Sequence, residues 1–166
     1  MLPKIAFIGT GGTIASLGND QFDLLDYNAG EKRLDAASLI ERVGLQATIA
    51  DIVPVNFRRI DSTAMTPGDW ADLADTCHRV AEDPELQGIV IGHGTASLEE
   101  TAWALSLVLD LDIPVTLTGS MRPLTGISTD ANANLAAAIR VAAAPCLPPG
   151  VFVVVEATHP RIVERM

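Results

Sequence analysis

The sequence predicts an α/β fold, a three-layer arrangement with a mostly parallel sheet of about five strands between helices. Three observations carry this. Short apolar runs alternate with longer helical patterns along the 166 residues. The runs are nearly continuous in apolar character, as in "GIVIG" at 88–92 and "VFVVVE" at 151–156, so both faces of each strand must be covered. Composition agrees, since 48% of residues are hydrophobic and only 4% aromatic, which makes an interior of Ala, Val, Ile and Leu.

The expected strands are Ile5 to Gly9, Ala47 to Val55, Gly88 to Gly92, Pro114 to Thr118 and Val151 to Glu156, each bounded by Gly, Pro or a polar turn. Helical patterns fall near Ala36 to Val43, Pro67 to Glu82, Leu98 to Leu109 and Ala131 to Ala144. Thr66 caps the second of these, with Pro67 in the first turn and Asp69 following, and Asp130 precedes the alanine-rich fourth. Strands separated by helices imply right-handed crossovers, hence parallel pairing. Gly18 to Arg33 has neither periodicity and holds the only tyrosine, Tyr27; it is expected to form a flap. With no repeat, low-complexity tract or linker, residues 1–166 read as one domain. Small molecules bind such domains beyond the carboxyl ends of the strands, where the loops gather.

The formal charge of −10 argues against nucleic acid or an anionic membrane surface as a partner, because both require concentrated Lys and Arg. No apolar run approaches bilayer-spanning length, and Met1-Leu2-Pro3-Lys4 leads directly into a strand pattern, so a cytoplasmic protein acting on small molecules is expected. Cys77 and Cys146 lack metal-ligand spacing and read as buried free thiols. The three histidines show no metal spacing either, and no metal or cofactor is expected.

"FIGTGGTIAS" at 7–16 breaks from an apolar run into glycines and ends on a hydroxyl, and "VIGHGTAS" at 90–97 repeats the pattern in weaker form. The first lacks the P-loop lysine and is not Gly-x-Gly-x-x-Gly, which weighs against a nucleotide cradle. Glycines after a strand serve either a tight turn or backbone amides that approach a ligand closely. A nucleotide-binding flavodoxin-like module is left with fold analogy alone.

Five segments taken together are more specific. "TGGTIAS" (10–16), "DSTAMTPGDW" (61–70), "GHGTASLEET" (92–101), "TGSMRP" (118–123) and "STDANANL" (128–135) stand in the order found in the amino-terminal domain of bacterial-type L-asparaginases. The resemblance covers nearly the whole chain and implies a flavodoxin-like fold. It implies that Thr13, after Gly12, is the nucleophile, that Tyr27 is a flap tyrosine helping to activate it, and that Thr95, after Gly94, is the second catalytic threonine. It also implies that Ser62 and Thr63 hold a substrate α-carboxylate and that Ser120 meets the side-chain amide through its backbone. Such chemistry is reasonable on its own terms, because a threonine hydroxyl needs a proton relay and glycine-loop amides can hold a tetrahedral oxyanion.

Two positions depart from that pattern. Where the resemblance implies a relay aspartate that also grips the substrate ammonium, this chain has Ala96. Where it implies a relay lysine, the best match is Arg165, and no lysine occurs beyond Lys32. Arginine stays protonated and cannot act as the proton acceptor. Without the aspartate, an asparagine substrate loses a charge-assisted contact of roughly 1.5–3 kcal/mol. Glu99, Glu100 and Glu156 are the candidate substitutes, although the first two also suit the amino end of a helix.

His93 reads as a structural hydrogen-bonding residue beside its turn, His78 as a surface residue, and His159 as a residue at the mouth of the site with its role open. Arg58, Arg59 and Arg122 are candidate carboxylate ligands, Arg122 reading rather as a loop brace. The expected function is an asparaginase-like amidohydrolase acting on L-asparagine or a related small carboxylate-bearing amide. A non-catalytic Asn/Asp-like binding or regulatory domain is the alternative. Self-association, as a homo-oligomeric dimer or tetramer, is expected from exposed apolar helix faces.

Overall fold

The computed structural model describes residues 1–27, 33–155 and 164–165. The strands are β1 (Lys4–Gly9), β2 (Asp51–Asn56), β3 (Leu86–Gly92), β4 (Pro114–Thr118), β5 (Gly150–Val153) and β6 (Glu164–Arg165). They form one sheet in the order β2-β1-β3-β4-β5-β6. The first five are mutually parallel, and β6 runs antiparallel to β5 at the edge. The α/β class and its parallel sheet are therefore as the sequence predicts.

The helices are α1 (Ala36–Val43), α2 (Pro67–Ala81), α3 (Leu98–Val108) and α4 (Ala131–Ala142). Alternation along the strands sends side chains to opposite faces. In β1, Ile5 and Phe7 join a core with Leu39 of α1 and Leu135 of α4, whereas Ala6 and Ile8 join one with Leu73 of α2 and Leu105 of α3. Each large apolar side chain removed from water in these layers stabilises the fold by roughly 1.5–3 kcal/mol.

Local chemistry sets the helix ends. The Thr66 hydroxyl accepts from the Asp69 amide at 3.3 Å, and Asp69 Oδ2 accepts from the Thr66 amide at 3.0 Å, closing a capping box over Pro67. Asp35 caps α1 through the Ser38 amide at 2.8 Å, and Gly44 ends it at φ 71°.

Three expectations need correction. The second strand begins at Asp51 and not at Ala47, because Ala47 takes φ 56° and its amide donates to Ala50 O at 3.1 Å, turning the chain back before pairing begins. The fifth strand ends at Val153. Cys146 is exposed in the turn before β5; Cys77 is fully buried, and burial pushes its thiol up to about 12.

Parallel pairing brings the carboxyl ends of β1, β3 and β4 to one edge, with Gly9 beside Gly92 and Gly92 beside Thr118. Thr118 Oγ1 is buried there and has no hydrogen-bond partner among the described residues. A buried hydroxyl left unpaired costs about 1–3 kcal/mol. Thr118→Val is expected to raise unfolding free energy by about 1 kcal/mol, seen as a higher urea midpoint at unchanged m-value; a lower midpoint would show that the hydroxyl has a favourable role.

Candidate active site

The loop after β1 turns through Gly11 at φ 102° and Gly12 at φ 78° into a short 3-10 turn, Thr13–Ala15. Both dihedrals are readily reached only without a Cβ. Space imposes a second demand, since a Cβ on Gly12 would overlap the Gly94 backbone and one on Gly94 would overlap Ser62. On the other side, a Cβ on Gly119 would come within 2.7 Å of His93 O and 3.0 Å of Thr95 Cγ2. Four loops are thus in backbone contact, which brings the segments carrying Gly12, Thr13, Ser62, Thr63, Gly94, Thr95 and Ser120 together.

Thr13 is half-buried, and its Oγ1 lies 3.1 Å from the Tyr27 hydroxyl. Tyr27 reaches it from a series of turns stabilised by aspartates. Asp20 accepts from the Phe22 and Asp23 amides at 2.7 and 3.1 Å, and Asp23 accepts from the Asp26 amide at 3.1 Å. This segment is fastened to the loop after β4, Gly18 N donating to Thr125 Oγ1 at 2.8 Å and Ile127 N to Gln21 O at 2.8 Å. The expected flap extends to Arg33, and its residues 28–32 lie outside the described residues.

Ser62 and Thr63 form a 3-10 turn capped by Asp61, whose Oδ1 accepts from the Thr63 amide at 3.1 Å and hydroxyl at 2.8 Å. Those two bonds, and then Arg33 at 3.3 Å, hold the Asp61 carboxyl below the usual range. Ser62 is buried beneath Gly94, whereas Thr63 is exposed.

The loop after β4 is braced from within. Asp130 accepts from the amides of Met121 and Arg122 at 2.9 and 3.0 Å, and Asn134 Nδ2 donates to Gly119 O at 2.9 Å. Ser120 is buried, its hydroxyl donating to Arg122 O at 2.7 Å, while Arg122 Nη1 donates to Ile127 O and Ser128 O. Arg122 therefore serves the loop, as expected. Arg58 pairs with Asp69 and Asp72, and Arg59 donates to Arg33 O. His78 is exposed.

A buried chain of hydrogen bonds, not foreseen in the sequence, ties these loops to the helices. Thr10 Oγ1 donates to Gly92 O at 3.1 Å and lies 2.6 Å from His93 Nδ1. His93 Nε2 lies 2.8 Å from Thr101 Oγ1, which accepts from Trp70 Nε1 at 3.0 Å. With the Thr10 hydrogen given to Gly92 O, Nδ1 must carry the imidazole proton, and the Thr101 hydrogen is then directed to Nε2. Burial lowers the His93 pKa to about 4, partly opposed by the Ser97 backbone. A neutral imidazole with both nitrogens engaged is a brace and not a base. Thr10, Trp70 and Thr101 stand at the ends of three of the quoted segments, and His93 reads from the sequence as a structural hydrogen-bonding residue, which were the available signals.

Ala96 is exposed beside Thr95, with Glu99 and Glu100 exposed in the first turn of α3. A cavity of about 440 Å³ opens there, lined by Thr95, Ala96, Ser120 and Val155 among others. Arg165 pairs with Phe152 in β6. Glu156 and His159 lie outside the described residues. Among the described residues no group of three or more His, Cys, Asp or Glu could hold a metal.

The family model "Asparaginase, N-terminal" matches residues 4–163. The chain belongs to the asparaginase family. The chain is 38% identical over 144 residues to L-asparaginase 2 of Bacillus subtilis, covering 87% of the chain and 38% of that relative. It is 35% identical over 139 residues to the glutaminase-asparaginase of Acinetobacter glutaminasificans, covering 84% and 41%. Among solved structures, a probable cytoplasmic L-asparaginase from Campylobacter jejuni matches with TM-score 0.82 and 35% identity, over 91% of this chain and 45% of that one. The chain thus spans about two fifths of the length of these curated relatives.

His93 gives the domain a pH signature. Its folded pKa near 4 lies below the ordinary 6.5, so the unfolded chain binds the proton first and stability is lost as pH falls from 6.5 towards 4. Urea unfolding is expected to lose about 3 kcal/mol between pH 7.5 and 4 from this group. Equal stability across that window would contradict the neutral brace.

Proposed function

We propose that this domain is an amidohydrolase that cleaves L-asparagine or a related small carboxylate-bearing amide with Thr13 as nucleophile. The observation that carries this is the Thr13 hydroxyl, 3.1 Å from the Tyr27 hydroxyl, beside the contact between the Gly12 and Gly94 backbones. Family membership and the similarity to named L-asparaginases support it.

Thr13 Oγ1 attacks the amide carbon while its proton leaves through Tyr27, and amides of the glycine loop hold the oxyanion. The C–N bond breaks, the nitrogen takes up the proton and ammonia departs, leaving Thr13 acylated. Water then attacks the ester, releases the acid and restores the hydroxyl; Thr95 is assigned to this half of the cycle. Ser62 and Thr63 receive the substrate carboxylate, Ser62 buried beneath Gly94 and Thr63 exposed beside it. Ser120 meets the amide through its backbone, since its own hydroxyl is committed to Arg122 O. His93 is left out of the proton path, because both ring nitrogens are engaged elsewhere.

Ala96 supplies no counter-charge, so the reaction is assigned to amides with or without an α-ammonium. A cytoplasmic setting and a homo-oligomeric state belong to the same reading. The Campylobacter protein is described as cytoplasmic, while a Haemophilus influenzae relative is described as periplasmic. No helix among the described residues is long and apolar enough to cross a membrane.

Ammonia release from L-asparagine and from succinamate, which lacks the ammonium, tests the assignment. Thr13→Ala is expected to lower kcat/KM on the order of 10³-fold or more. With no charge at position 96, the two substrates are expected to be cleaved within about tenfold of each other. Equal release by the variant would remove Thr13 from the reaction.

A further inference from the structure

We infer that the cavity beside Thr95 is a subsite for the amine half of the substrate, and that the preferred substrates are secondary amides carrying an apolar arm on the leaving nitrogen. This depends on the amidohydrolase reading and narrows it to a substrate class.

Position comes first. Ser62 packs against Gly94 on one side of the second glycine loop, and Gly119 packs against Thr95 on the other. A substrate with its carboxylate at Ser62 and its reacting carbon at Thr13 therefore directs its leaving group towards Thr95, Gly119 and Ser120. Those three residues line the cavity, whereas Thr13, Ser62 and Thr63 do not.

Size comes second. An ammonia-sized leaving group occupies about the 30 Å³ share of a water molecule. The cavity measures about 440 Å³, within the range of pockets that enclose small organic ligands.

The lining decides the chemistry. Leu98, Met121, Val153 and Val155 give it an apolar wall, and apolar area removed from water is worth about 25 cal/mol per Å². Glu99, Glu100 and Asp130 also face it. The Asp130 carboxylate is held by the Met121 and Arg122 amides and Asn134, while Glu99 and Glu100 have no ion pair among the described residues. Their charge turns away an arm that ends in a carboxylate. The reaction stays balanced: the C–N bond of the secondary amide breaks, the nitrogen takes up the proton from Thr13, and a primary amine leaves where ammonia otherwise would.

Four succinic monoamides test this with the full chain: unsubstituted, N-butyl, N-(4-aminobutyl) and N-(3-carboxypropyl), with succinate release as the common readout. The N-butyl amide is expected to show kcat/KM at least tenfold above the unsubstituted amide, and the N-(3-carboxypropyl) amide at least tenfold below the N-butyl amide. Val155→Trp, which fills the cavity from just beyond β5, is expected to bring the ratio of kcat/KM for the N-butyl amide to that for unsubstituted succinamate down to about one. The Glu99→Lys/Glu100→Lys variant, altered only at exposed positions, is expected to recover the N-(3-carboxypropyl) amide; this keeps the test open if Val155→Trp fails to fold. Cleavage of succinamate with no gain from N-butyl overturns the subsite and leaves the amidohydrolase reading standing. Absence of cleavage with all four amides overturns both.

Discussion

The contact between the Gly12 and Gly94 backbones is the constraint on which the site depends. Parallel pairing sets Gly9 beside Gly92, so the loops leaving β1 and β3 start side by side. Whether they stay together is decided a few residues later. Any Cβ at either glycine would force them apart, and at Gly12 it would also meet an unfavourable dihedral. The loops carrying Thr13 and Thr95, which follow these glycines, stay together because neither glycine has a side chain.

The remaining devices hold that contact in place. His93 reaches back to Thr10 in the first loop and forward to Thr101 in α3, and Trp70 extends the chain into α2. Because the ring is buried and neutral, its two bonds are directional without carrying a charge into the core. Asp130 and Asn134 perform the same service for the loop after β4. The bracing stops at the half-buried Thr13 and Thr95 and the exposed Ala96 and Thr63, the positions proposed to meet the substrate.

Much of the fold was legible because local signals agreed with the global arrangement. β1, β3 and β4 are mostly apolar runs ending at Gly or Thr-Gly, and the Thr66-Pro67-Asp69 cap is a local hydrogen-bonding pattern. The start of β2 was misread because "ATIA" has strand-like residues, and nothing in it signals that Ala47 takes a left-handed dihedral usually left to Gly or Asn. β6 is a two-residue edge strand, too short for alternation to show. Cys146 was expected inside, but the turn before Pro148 and Pro149 keeps it in water.

The candidate site was legible as a set of motifs and not as a geometry. The motifs named Thr13, Ser62, Thr63, Thr95 and Ser120, yet Thr10, Thr101 and Trp70 escaped notice because their bonds join positions up to 83 residues apart. A crystal structure of the protein with L-aspartate tests the central claim, that the interlocked loops make one site. The claim predicts one aspartate bound across the Gly12–Gly94 contact, its α-carboxylate at Ser62 and Thr63 and its side-chain carboxylate within about 3.5 Å of Thr13 Oγ1. Aspartate bound away from these loops, or loops separated with Thr13 and Thr95 facing different cavities, would contradict it.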